Sequence, residues 1–285
     1  MAGVTSGSIY ALVGLGFTII YSVTGIINFA QGEFVMLGGM ISYILLDSMG
    51  LPTVPALLLT IIVVAAIGAV LYLLAIRSAR KASVVSLIII TIGASVFIRG
   101  VAGEIWTKDY VRPPYFSGDE SISFLGAYIQ PQALWIIGVT VAAMVVLHVF
   151  LTYTVMGKAL RACAINRAAA GLVGIDARVM ALISFSLAAA FGALGGAVVA
   201  PLTTTSYSVG VMMGLKGFVA AAIGGFRSPV AAFVGGITVG VVESMAVAID
   251  WGPFSSAYKD AIALVVLLLI LLVRSGRLAA EERAG

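Results

Sequence analysis

Several apolar runs in this chain reach about 20 residues, the length an α-helix needs to cross the hydrocarbon of a bilayer. The runs are continuously apolar and lack the alternation of a barrel strand, which excludes a transmembrane β-barrel. Composition agrees. Of the 285 residues 61% are hydrophobic and 10% charged, against about 25% charged in an average soluble domain. The fold class is all-α: one polytopic membrane helix bundle over residues 1–285. The formal charge of +4 gathers in short loops, the pattern of the positive-inside rule, and gives no sign of nucleic-acid binding.

The first run, Val4 to Val23, has neither a basic leader nor a cleavage site and reads as a retained span. Polar residues then interrupt the apolar pattern at TGIINFAQGEF, before a second span from Phe34 to Ser48. No room exists there for a long soluble loop. Asn28, Gln31 and Glu33 must therefore lie at the interface or line a wet cavity. For Glu33 two readings stand: a carboxylate at the interface or satisfied by a helix N-terminus, or part of a translocation path or of a gating contact. Pro52 and Pro55 open a third span that ends near Ile76, with Arg77, Arg80 and Lys81 after it. A fourth span covers Val84 to Val101, and its Arg99 is placed to snorkel to headgroups.

Residues 103–132 form the longest polar segment, net acidic and rich in turn residues, and read as an external loop with a short hairpin or interfacial helix. The fifth span, Ala133 to Tyr153, holds His148, read as a satisfied polar or interface side chain rather than a proton relay. A sixth covers Val179 to Val199, followed by an external connection at Pro201 to Tyr207. Gly210 to Phe226 is barely long enough to cross and reads as a half-helix or re-entrant element carrying Lys216. Val230 to Ile249 holds Glu243, an acid expected to face protein or a cavity. The last span starts at Tyr258–Asp260 and ends at Val273, before a basic tail. The total is about eight to nine segments including one short or re-entrant one. With the basic regions on the cytosolic side, the N-terminus lies outside and the C-terminus in the cytosol.

The stretch from Thr154 to Arg178 is a basic, polar interruption between two apolar runs. Asn166 is a good N-cap, Arg167 to Val173 a helical run, Gly174 a natural C′ residue, and Asp176 the N-cap of the next helix. The expectation is one short capped helix on the cytosolic side, suited to docking into a partner's groove, with an ordinary basic loop as the alternative. Cys163 lies in the same stretch and reads as a reduced structural thiol.

With one His and one Cys, no P-loop, no GxSxG and no HExxH, the chain offers nothing for catalysis, metal or cofactor binding. Embedded acid–base pairs at the regularity of an ion-coupled pump are also missing. An attached motor, a passive channel for a small neutral solute and an ion-coupled carrier using Glu33 and Glu243 all remain open on these grounds.

Three stretches narrow the choice. Gly3 to Gly39, with INFAQGE at Ile27–Glu33, resembles the N-terminal signature of the branched-chain amino-acid ABC permeases, with Gln31 where the family usually has His. Gly157 to Ala197 resembles that family's ATPase-coupling loop and following helix, and Lys216 to Gly225 its Lys-x-Phe-x-Ala-Ala…Gly-Gly segment. Arg227 stands where a small residue is usual, and Ser275 where a proline is common. The resemblance implies an inner-membrane permease of an ATP-driven importer. Its partners would be a second homologous permease, two cytosolic ATPases and a periplasmic binding protein. Its solute would be a branched-chain amino acid or a related carboxylate, amide or urea. Residues 154–178 would form the coupling loop, through Arg161, Asn166, Arg167, Ala169, Gly174 and Ile175. Asn28, Gln31 and Glu33 would line the pathway, with Thr18 and Thr203–Thr205 as further candidates.

Overall fold

The computed structural model describes residues 1–79, 82–106, 109–124 and 127–248, and positions 261, 264, 265 and 268. Arg80, Lys81, the turn at 250–256, most of the last span and the basic tail lie outside the described residues. The helices are α1 (Ala2–Thr24), α2 (Gln31–Tyr43), α3 (Thr53–Leu71), α4 (Val84–Ile105), α5 (Pro131–Tyr153), α6 (Val155–Ile165), α7 (Arg167–Leu172), α8 (Ala177–Thr203), α9 (Gly210–Ile223) and α10 (Pro229–Ala248). Both α2 and α3 end in a π-helical turn, at Ile44–Ser48 and Tyr72–Ile76. Among the described residues six helices (α1, α3, α4, α5, α8 and α10) are long and apolar enough to cross a membrane, and α9 is shorter. In the 103–132 segment, the expected hairpin pairs β1 (Ile122–Phe124) with β2 (Ala127–Ile129).

α1 and α8 form the centre. The most hydrophobic windows of both are mostly buried, whereas in those of α3, α4 and α5 fewer than a third of the residues are. That inversion is what a bilayer dictates: lipid tails are as apolar as a core, so outer helices keep apolar surface outward. Close backbone approach replaces the hydrophobic drive. A Cβ at Gly196 of α8 would overlap the Val35 carbonyl of α2, and one at Gly240 of α10 would overlap Gly7 of α1. Small residues at these crossings gain van der Waals contact that larger ones forbid.

Three sequence expectations need correction. α2 begins at Gln31, three residues before the expected Phe34. The polar stretch 155–178 holds two helices rather than one, because Thr154 caps an additional helix, α6, by accepting from the Gly157 N–H at 2.9 Å. α8 continues through Pro201 to Thr203, so the connection to α9 begins at Thr204. Pro201 forgoes one helical hydrogen bond, the one its N–H would make to the Ala197 carbonyl, and its ring crowds that carbonyl, a disturbance confined to the end of the helix.

α9 is pinned by a buried charge pair. Lys216 Nζ lies 3.0 Å from Glu243 Oε1 of α10 and donates to the Tyr10 hydroxyl of α1 at 3.1 Å. The ammonium also stands 5.2 Å from the Tyr10 ring centroid. Charges this buried persist only when paired and hydrogen-bonded. Removing one partner strands the other, so Lys216→Met should destabilise the fold by about 3–5 kcal/mol, and adding Glu243→Met should recover most of it. Denaturation of both variants in a mild detergent checks this.

Candidate transport pathway and coupling surface

After Thr24 the chain does not leave the bundle. Gly25 takes φ 71°, the left-handed conformation that closes a helix end. Residues 26–30 then turn back inward without helical structure. Gln31 opens α2 beside Gly16, where a Cβ would overlap the Gln31 amide. Gly16 sits eight residues before the end of α1, so α2 starts about 12 Å inside it.

Side chains satisfy part of this broken backbone. Asn28 Oδ1 accepts from the Ala30 N–H at 3.2 Å. The Phe29 N–H donates to Thr91 Oγ1 of α4 at 3.2 Å. Gln31 Nε2 donates to the Ala188 carbonyl of α8 at 2.8 Å. Ser95 Oγ of α4 donates to Glu33 Oε1 at 2.8 Å. Glu33 stands in the first turn of α2, where the helix dipole favours an anion. The other carboxylate oxygen, Oε2, faces Gly210 at the start of α9.

Among the described residues Thr18 Oγ1, Asn28 Nδ2, Gln31 Oε1 and Glu33 Oε2 have no hydrogen-bond partner, and all four side chains are buried. Each such group costs about 1–3 kcal/mol. Their concentration in the second half of α1 and the entry to α2 marks a functional region rather than scattered imperfection. Thr203 does not belong to it. It is exposed at the far end of α8, 15 residues and about 22 Å beyond Ala188.

A cavity of about 220 Å³ is lined by Phe17, Phe29, Ser95, Arg99, Gly214 and Phe218 among others, and Ser95 links its wall to Glu33. Arg99 lies one turn along α4 from Ser95 and so faces this cavity, a role beyond headgroup snorkelling. Aromatic rings lie between the cavity and the last turn of α1. Phe17–Phe218 and Phe29–Phe218 centroids are 5.8 Å apart, and Phe226 touches both Phe218 and Tyr21 at 5.2 Å. Phe226 holds φ 59°, an unfavourable conformation for a bulky residue, and ring packing accompanies it. The sequence pattern did not single out Ser95 or these phenylalanines, and it singled out Arg99 only as a residue placed to snorkel to headgroups.

At the end of the bundle where α1 finishes, α6 and α7 project from the core. Val23, Leu160, Cys163, Ala170 and Met180 pack together beneath them. Burial pushes the Cys163 thiol pKa up, opposed by the Arg167 charge, so the thiol stays protonated and inert. Asn166 Oδ1 accepts from the Ala168 and Ala169 N–H groups at 3.0 Å each, and Asp176 Oδ1 from the Arg178 N–H at 2.8 Å. Gly174 takes φ 85° between them. The capped helix read from the sequence is thus present, one residue shorter than expected. Arg167 and Ala169 are exposed on it. Ile175 instead packs inward against the cluster beneath, and Arg161 points toward α5 and α10. Leu172 and Val173 protrude, 90% and 76% exposed.

The sequence model of a family described as a branched-chain amino acid transport system permease component matches residues 1–271. The chain belongs to that family. It is 34% identical over 286 residues to the high-affinity branched-chain amino acid permease LivH of Salmonella typhimurium, covering 95% of this chain and 91% of that one. It is 34% identical over 290 residues to BraD of Pseudomonas aeruginosa, covering 95% and 92%. A probable LivH of Methanocaldococcus jannaschii is 27% identical, with 93% and 87% covered. Among solved structures, PsaBC from Streptococcus pneumoniae in complex with Fab aligns with a TM-score of 0.51 at 14% identity, covering 94% of this chain and 89% of that chain. That likeness extends the fold alone.

The caps make a local prediction. Asn166→Ala should speed amide exchange at Ala168 and Ala169 and cost about 1 kcal/mol, while Asn166→Asp keeps both amides protected. Hydrogen exchange read by mass spectrometry distinguishes the two.

Proposed function

We propose that this chain is a permease subunit of an ATP-driven importer in a bacterial inner membrane, carrying a branched-chain amino acid or a related small carboxylate or amide. The reading rests above all on α7: a helix of six residues, capped at both ends, that holds Leu172 and Val173 out from the bundle. Two cytosolic ATPases dock there, a second homologous permease completes the pathway, and a periplasmic binding protein delivers the solute. The chain hydrolyses no nucleotide itself. The six long helices, with Gln31–Ser48, Gly210–Ile223 and the apolar run 258–273, make up the eight to nine segments. The α6–α7 end and the C-terminus face the cytosol.

Coupling runs through α8. Its N-terminal turn sits on the cluster under α7 through Met180, and eight residues along, about 12 Å, the Ala188 carbonyl holds Gln31. A tilt of α7 therefore reaches the start of α2 through one unbroken helix. Glu33, Gln31 and Asn28 line the solute path, Thr18 stands beside it, and the rings of Phe17, Phe218 and Phe226 form the cytosolic gate.

Two outcomes test this in proteoliposomes containing the full complex. Replacing residues 167–173 by a Gly/Ser linker should abolish ATPase co-purification; co-purification unchanged by the replacement would overturn the assignment. Glu33→Ala should lower uptake about 10-fold or more while the ATPases stay bound, the loss of one charge-assisted contact in the path. Uptake equal to the parent would remove Glu33 from the pathway.

A further inference from the structure

A second cavity, of about 290 Å³, lies at the α6–α7 end between α1, α5, α6 and α10. Three side chains that carry or can carry positive charge converge on it from three elements: His148 of α5, Arg161 of α6 and Arg227 of the turn before α10. Among the described residues no acidic side chain lines it, and neither arginine forms an ion pair with a described residue. Ser228 and Thr152 add hydroxyls on the same wall. Its floor is apolar, with Met144, Leu147 and Leu151 of α5 facing Ile19 of α1. The apolar wall continues to the outside. Val145 and Val149 of α5 and Val230 and Val234 of α10 are all exposed at its flanks, on helices that cross the bilayer.

We infer that this cavity binds the phosphate of an anionic glycerophospholipid, with one acyl chain leaving between α5 and α10. Arg161 and Arg227 grip the phosphate oxygens, since guanidinium presents paired N–H donors to an oxyanion. Basic pockets between membrane helices at the cytosolic boundary suit such headgroups, and the apolar floor continuing onto lipid-facing helix surface distinguishes a lipid from a free anion. A lipid held there braces α6 against α10 beside the coupling helix. Arg161 accordingly serves the lipid rather than the ATPase. The proposal requires only that the chain spans a bilayer, so it stands or falls separately from ATPase coupling.

The test uses the full chain in neutral detergent, offered equal phosphatidylglycerol and phosphatidylcholine with identical acyl chains, and native mass spectrometry to count retained lipid. The parent should retain phosphatidylglycerol about five-fold or more over phosphatidylcholine, as expected for one or more basic contacts near the surface. Arg161→Gln/Arg227→Gln should bring the ratio to unity. Arg77→Gln, a cation outside the cavity, should leave it unchanged. Ala164→Phe, which fills the cavity without changing charge, should lower retention of both lipids and guards against misfolding of the double variant. Millimolar inorganic phosphate should not displace the lipid. A ratio unaffected by the double variant, or reduced equally by Arg77→Gln, overturns the site. Displacement by phosphate overturns the lipid as occupant.

Discussion

Between Gly25 and Ala30 the backbone gives up helical hydrogen bonds inside the bundle, and hydrocarbon supplies none in return. Everything around that break compensates for it. Thr91 and Ser95 of α4, Ala188 of α8 and the turn of Asn28 onto Ala30 take up the freed or exposed polar groups. Gly16, Gly32 and Gly192 make the space, because a Cβ at any of them would press on α2 or α9. Non-helical backbone at this depth is tolerated where it is buried in protein or lines a cavity, and the cavity beside Phe29 and Ser95 meets that condition.

The two buried acids show how pairing separates support from function. Glu243 is matched by Lys216 and Tyr10, and the triad ties three helices into one body. Glu33 forms no ion pair with a described residue; its Oε1 accepts from Ser95, and a helix N-terminus partly offsets its charge. An ion-paired acid holds structure; the proposed path uses the acid that has no such pair. The same contrast runs through the coupling end, where Ala170 and Met180 anchor α7 from below while Leu172 and Val173 stay outward.

Helix identity was legible because apolar length alone decides it in a membrane. The caps Asn166, Gly174 and Asp176 were legible because capping chemistry is local. Depth was not. Nothing in a run of apolar residues says that α2 begins level with Gly16, since lipid and protein look alike to the sequence. α6 was missed because its basic residues resemble a loop, although Thr154 carried a cap signal. Asn28, Gln31 and Glu33 stood out as polar residues with no loop to sit in, whereas Phe218 and Phe226 are indistinguishable from lipid-facing aromatics until their rings are seen to meet. The orientations of Arg161 and Ile175 were not legible: Arg161 sits on α6, the helix read as loop, and lines a cavity with α5 residues, while Ile175 lies in the turn after α7, where no periodicity shows that it packs inward.

The central claim is that the broken entry to α2 lines a path that opens alternately to the two sides. Thiol accessibility tests it most directly. In the assembled transporter with Cys163→Ser, a cysteine introduced by Asn28→Cys would be labelled with a membrane-impermeant maleimide applied from each side, with and without nucleotide trapped on the ATPases. The account predicts that the labelling rate from at least one side changes by about 10-fold or more between the two states, a shift of about 1.4 kcal/mol in exposure of the site. Labelling that is absent from both sides in both states would contradict it, and would leave the break at Gly25–Ala30 as a packing feature of a closed bundle.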